Sequence, residues 1–153
     1  MALMNKPITK TKNPIAENRK ARFDVAVDET LEAGLILDGT EIKSIRAHRA
    51  QLTGAYVRLV SGKPMLIGMH LSQAGEAERV RPLLLHKKQI KELQEAMQTR
   101  GQTVVPLKIY LAKGFAKLLI GIGTGRKLHQ KRDLLRERDI TREVNSELKR
   151  HGR

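Results

Sequence analysis

The sequence predicts a mainly β domain with short helices, arranged as a small barrel and followed by a basic tail. Three observations predict it. Short apolar runs recur between residues 23 and 122, with turn-forming residues between them. No long helical period alternates with these runs, which disfavours a parallel sheet and favours a closed or partly closed barrel. Glycines at 121, 123 and 125 mark the point where the apolar runs stop and a charged segment begins.

Each element follows from local pattern. Residues 1–17 contain Pro7 and Pro14 without periodicity, which predicts a disordered basic arm. Phe23, Val25 and Val27 alternate with Asp24 and Asp28, a strand pattern. Leu31 to Leu37 is a second apolar stretch, and Gly34 within it predicts a bulge or bend. Asp38-Gly39-Thr40 offers a turn and a helix N-cap, with Glu41 in the first turn where the helix dipole favours negative charge. Ile42 and Ile45 form the apolar face of that short helix. Leu52–Val60 and Pro64–Leu71 read as a strand pair joined at Ser61-Gly62. Residues 72–81 form a polar loop. Leu83, Leu84 and Leu85 lead into a helix with Ile90, Leu93 and Met97 on one face, ended by Gly101. Thr103–Leu111 and Phe115–Ile122 form a further hairpin turning at Lys113-Gly114. The three glycines that follow read as a hinge. Beyond them, Leu134, Ile140, Val144 and Leu148 fall on one helical arc. Like charges four apart (Arg132/Arg136, Arg138/Arg142, Asp139/Glu143) weaken an isolated helix. Two outcomes fit that tail: disorder until a partner is met, or a helix docked on the barrel by its apolar arc. The domain boundaries are therefore an arm at 1–17, a barrel at 18–123 and a flexible tail at 124–153, helical on binding.

Charge narrows the function. The 153 residues carry 30 Lys and Arg against 16 Asp and Glu, a net charge of +14. Residues 1–22 and 126–153 hold ten of those excess charges, and the middle has an ordinary composition. Basic ends on a near-neutral body are the electrostatic footprint of a polyanion partner, most commonly nucleic acid. The absence of Cys removes disulfides, thiolate-bound metals and thiol catalysis. No run approaches the ~20 apolar residues of a membrane helix. Lys6, Lys10 and Lys12 are not followed by the apolar core of a secretory signal, so a cytoplasmic protein with no membrane partner is expected.

No catalytic constellation is visible. Arg126 occupies the last position of a would-be G-x-G-x-x-G, and Gly125-Arg126-Lys127-Leu128 departs from a P-loop. His48, His70, His86, His129 and His151 show no metal-ligand spacing, so neither a metal nor a cofactor is expected. Glu32 and Glu41 read as caps or as acceptors for a base or an Arg. His129 lies among Arg126, Lys127, Lys131 and Arg132, a setting suited to RNA.

Five runs occur in the order of a known family. They are NRKAR (Asn18 to Arg22), EAGLILDGTEIKSIRA (Glu32 to Ala47), LLLHKKQI (Leu83 to Ile90), GQTVVPLKIYLAKGFAKLLIGIGTGRK (Gly101 to Lys127) and HQKRDLLRERD (His129 to Asp139). Together they resemble the SmpB family, the SsrA-binding proteins of trans-translation, over roughly residues 18–139. The resemblance implies an oligonucleotide-binding-type (OB-fold-like) β-barrel and a non-catalytic adaptor. It implies binding to the tRNA-like part of transfer-messenger RNA and delivery to stalled ribosomes with elongation factor Tu. By position, Asn18, Arg22, Glu32, Leu84, His86 and Lys117 fall to the RNA-binding face. His129, Lys131 and Arg132, with Arg126, Lys127, Arg136 and Arg138, fall to a tail that enters the decoding centre and empty messenger channel, contacts small-subunit ribosomal RNA and becomes helical. A monomer is expected. Two positions depart from the family: Gln130 replaces an Asp, and Arg81-Pro82 replaces Arg-Lys in a shortened segment, leaving Arg79 and Arg81 to supply charge to the RNA face. A structural ribosomal protein with a small barrel and basic extensions is the alternative expectation.

Overall fold

A computed structural model describes residues 14–72 and 80–151. Most of residues 1–17, and residues 73–79 of the expected polar loop, lie outside the described residues.

The chain runs β1 (Ala16–Glu17), α1 (Arg19–Asp24), β2 (Val25–Leu35), α2 (Gly39–Arg46), β3 (Ala50–Gln51), β4 (Tyr56–Val60), β5 (Lys63–Ile67), β6 (His70–Leu71), β7 (Arg81–Leu84), α3 (Lys87–Gln98), β8 (Gln102–Ala112), β9 (Phe115–Gly125) and α4 (Leu128–His151). Seven strands form one antiparallel sheet in the order β1-β8-β9-β2-β7-β5-β4, and β3 pairs with β6 apart from it. The sheet curls until β4 lies against β8, which makes a partly closed barrel. This is the mainly β architecture that the short apolar runs predict.

Alternation along the strands fills the interior. Leu31 and Ala33 from β2, Val104 and Ile109 from β8, and Leu118, Ile120 and Ile122 from β9 share one core cluster. Ile45 of α2 and Leu93 and Ala96 of α3 join it. Each fully buried Leu or Ile contributes about 2 kcal/mol. Both expected hairpins form. Ser61 and Gly62, and Lys113 and Gly114, all have positive φ, the backbone of the two-residue turn that matches sheet twist.

Several boundaries differ from local expectation. Ala16 and Glu17 pair with Ile109 and Lys108 and so belong to the sheet rather than to the arm. Phe23 begins no strand; it lies in α1. Asn18 caps that helix by accepting from the Ala21 N–H at 3.2 Å, and the Arg126 guanidinium donates to the Arg22 and Phe23 carbonyls at its other end, at 3.1 and 3.2 Å. A partner a hundred residues away thus overrides the alternation. β2 runs unbroken through Gly34. Its irregularity lies between Val27 and Glu29, where Asp28 is extra. Gly34 instead marks the point where β2 gains β7 as a second neighbour, pairing with both Lys117 and Leu84. Thr99, not Gly101, is the C-cap of α3, and Gly101 forms the turn into β8.

The glycine hinge is also corrected. Gly121 and Gly123 are buried within β9. A Cβ on Gly121 would stand 2.8 Å from Leu107 Cδ1, and one on Gly123 would stand 1.9 Å from the Ala26 carbonyl oxygen. They are glycines because neighbours press against them, not because the chain bends there.

Arg81 is no loop or surface residue. It is fully buried at the start of β7 and pairs through Nε with the Glu41 carboxylate, which is 1% exposed. Arg81 Nη1 also donates to the Met69 carbonyl at 2.9 Å. Glu41 accepts from the Asp38 N–H at 3.1 Å while Asp38 caps Glu41 in return at 2.9 Å, a capping box. One carboxylate therefore closes α2 and anchors β7, and Arg81 supplies no charge to the surface.

Replacing Glu41 by Ala is expected to cost about 3–5 kcal/mol, because a buried guanidinium loses its counter-charge; the urea midpoint should fall at unchanged slope. Gly123→Ala should lower the midpoint sharply as well. Gly125→Ala, with open space at its Cβ, should leave it unchanged.

Candidate nucleic-acid interface

The inward phase of β2, β8 and β9 builds the core, so the outward phase is fixed as well. Glu32 stands opposite Leu119 of β9, and Leu119 stands opposite Lys108 of β8. One row further, Leu84, Gly34, Lys117 and Tyr110 lie abreast on four strands. Leu84 is 62% exposed and covers the position where Gly34 lacks a side chain. The register thus brings Glu32, Leu84 and Lys117 onto one face, although they are far apart in sequence.

A second, smaller cluster lies on this outward side. Leu107, Tyr110 and Leu119 are buried there, with Val27, Val105 and Ala112 against them. Leu107 is the extra residue of a bulge after Pro106. Its carbonyl accepts from the Asn18 N–H at 2.8 Å, which ties α1 to the sheet edge. The Tyr110 hydroxyl donates to Glu32 Oε2 and orients that carboxylate. Burial, reinforced by this hydrogen bond and the Glu32 charge, pushes the Tyr110 pKa well above the ordinary tyrosine value. Lys108 is 6% exposed. Burial lowers its pKa, the Arg22 guanidinium pushes the same way, and its cross-strand partner Glu17 opposes both.

The remaining predicted residues divide. Arg22 is exposed on α1, and His86 is exposed at the N-cap of α3, two residues beyond Leu84. Gln89 reaches back to accept from the His86 N–H at 3.1 Å. Asn18 is only 4% exposed, and its side chain caps α1. It holds Arg22 in place rather than presenting itself. Local patterning missed Tyr110 and Lys108. Their outward phase in β8 was the available signal, but only the register shows what they meet.

The second candidate surface is α4, a single helix of 24 residues and about 36 Å in length. Its beginning is fastened to α1. Lys131 Nζ lies 3.0 Å from Asp24 Oδ1, and the Arg138 guanidinium sits 5.6 Å above the Phe23 ring. Arg126 is half-buried, because its guanidinium closes the C-terminus of α1. Gln130 accepts from the Lys127 N–H at 3.0 Å, a capping contact at the start of α4. An open cleft of about 270 Å³ between β2 and α4 is lined by Ala26, Arg126, Gln130, Asp133, Leu134 and Glu137. No described side chain of α4 is buried. Ile140, Val144 and Leu148 are 60%, 51% and 65% exposed, so the apolar arc does not dock on the barrel beyond Leu134. Lys127, His129, Arg132 and Arg136 are all exposed.

The arrangement offers shape, hydrogen-bonding groups and positive charge. No group of three or more metal-ligating side chains gathers among the described residues, and no helix among them is long and apolar enough to cross a membrane.

Tyr110 has a pH signature. Its folded-state pKa is raised, so its contribution to stability is complete below the ordinary tyrosine pKa near 10 and is lost as pH rises beyond it. The stability difference between the unaltered protein and Tyr110→Phe is expected to be constant from neutral pH to about 10 and to shrink above it, as measured by urea titration.

Similar sequences and a similar fold occur in other proteins. The family model described as SmpB protein matches residues 15–150. The SsrA-binding protein of Halalkalibacterium halodurans is 50% identical over 146 residues, covering 91% of this chain and 95% of that one. The SsrA-binding protein of Leuconostoc mesenteroides subsp. mesenteroides is 44% identical over 153 residues, covering 95% and 99%. A solved structure described as "tmRNA-SmpB: a journey to the center of the bacterial ribosome" superposes with a TM-score of 0.61 at 39% identity, over 73% of this chain and 84% of that one. The curled sheet, its two-sided register and these likenesses over nearly the whole length converge: this chain belongs to the SmpB family.

Proposed function

We propose that the chain is a non-catalytic adaptor in ribosome rescue. It binds the tRNA-like domain of transfer-messenger RNA (SsrA RNA) and brings it to stalled ribosomes as a cytoplasmic monomer, with elongation factor Tu in the delivery complex. The observation that carries this reading is the division of the molecule into two exposed surfaces. One is a rigid sheet face bearing Glu32, Leu84 and Lys117 beside Arg22 and His86. The other is a basic helix with no buried side chain.

The two surfaces suit different RNA targets. A rigid face with an oriented carboxylate can accept hydrogen bonds from base or sugar donors, while Lys117 and Arg22 meet phosphates. Leu84 offers an apolar surface to an unstacked base. The helix suits a negative channel: it carries seven Lys and Arg against five Asp and Glu, with Lys131 and Arg132 near its start, and its exposed apolar side chains wait for a surface to cover them. Decoding-centre and messenger-channel contacts fall to His129, Lys131 and Arg132, with Lys127, Arg136 and Arg138 around them. Like charges four residues apart weaken α4, so contact with ribosomal RNA would stabilise a helix that is already formed over Leu128–His151. The relatives are named for SsrA binding, and the structural neighbour is described with tmRNA and the bacterial ribosome, which supports the same assignment.

The experiment separates the surfaces. Lys117→Ala is expected to weaken binding of the tRNA-like domain about tenfold, by loss of a charged contact, without moving the melting temperature. Joint replacement of Lys131 and Arg132 by Ala should leave that binding nearly intact and abolish tagging of stalled products. Equal loss of both activities in the tail variant would refute the division of labour. Binding should also fall steeply as salt is raised.

A further inference from the structure

The chain contains two Phe, two Tyr and no Trp. Two of these four aromatics are committed within the fold. Phe23 lies beneath Arg138, and Tyr110 is buried with its hydroxyl on Glu32. Phe115 is different. It is 69% exposed, the largest exposure of any large apolar side chain among the described residues.

Its position is well defined. Ala116 and Leu118 face the core, so Phe115 shares the outward phase of β9 with Lys117. It opens β9 opposite Ala112, one row beyond the row of Leu84, Gly34, Lys117 and Tyr110. The turn before it, Lys113-Gly114, has φ of 51° and 81°, so the ring stands on a tight hairpin rather than a loose loop. Lys113 precedes it and Lys117 follows it. Leu111 pairs with Ala116 and belongs to the opposite phase, so the outward ring is not part of a broad apolar patch with that residue. A ring isolated between two lysines matches a nucleotide: a flat apolar face for the base and cations for the phosphates on either side. Stacking of this kind accepts any base, because every base has a π-face.

We propose that Phe115 is a stacking platform for one unpaired base of the bound RNA, with Lys113 and Lys117 meeting the flanking phosphates. This rests on the RNA-binding role argued above and adds a residue to that face.

The absence of Trp makes the test direct. Phe115→Trp places a single indole at the site, and the probe is the tRNA-like domain of transfer-messenger RNA. The expected result has three parts. Phe115→Ala and Phe115→Leu both bind about tenfold more weakly or worse; Phe115→Trp retains affinity; and its fluorescence is quenched at saturation by RNA. Full affinity in Phe115→Leu would overturn stacking, since apolar area alone would then suffice. Full affinity in Phe115→Ala with an unquenched indole would overturn the proposal and mark the ring as a protein contact. Failure of the unaltered protein to bind the RNA would overturn the adaptor reading and this inference with it. If Phe115→Ala lowers the melting temperature, the indole signal decides: quenching supports stacking, and its absence overturns it.

Discussion

Side chains alternate along three eleven-residue strands, β2, β8 and β9, and the rest of the molecule depends on that constraint. The inward set makes the dry interior. The outward set is then fixed in type and spacing, because a one-residue slip would exchange the two faces. Glu32, Lys117 and Tyr110 therefore owe their grouping to Leu31, Ala33, Leu118, Ile120 and Ile109 behind them. A face built this way is held by the core behind it, which would suit the proposed recognition of a folded RNA whose shape must be met rather than induced.

Tight backbone contact protects that register. Gly123 lets β9 pass against the Ala26 carbonyl, and Gly121 makes room for Leu107. The bulge at Leu107 points an additional apolar side chain outward, and the second cluster grows around it. The outer face thus has a foundation of its own, on which the Tyr110 hydroxyl holds the Glu32 carboxylate.

The six residues of α1 join the two candidate surfaces. Asn18 fixes its start, the Arg22 charge is near enough to Lys108 to push its pKa down, and its last carbonyls receive Arg126. Asp24 and Phe23 hold Lys131 and Arg138 of α4. One half-buried ion pair and one cation–π contact are worth about 1 kcal/mol each, so α4 is fastened lightly at its base and projects beyond it.

By itself the sequence determined the class of fold, both hairpins, the capped helix at Asp38, the excess charge at the ends and, through its ordered motifs, the family. These are local or summed properties: turn chemistry, strand period, capping and net charge act over a few residues or over the whole chain. The tertiary structure alone decided where distant residues meet. It buried Arg81, which the sequence had left to supply charge to the surface, against Glu41, whose reading as a cap or an acceptor for an Arg holds, and it turned Phe23 from a strand residue into a helical one. It made Gly121 and Gly123 packing contacts instead of a joint, and it set Tyr110 beneath Glu32. Each outcome depends on a partner tens of residues away, and a strand's pattern states which side chains face outward without stating which strand lies beside it.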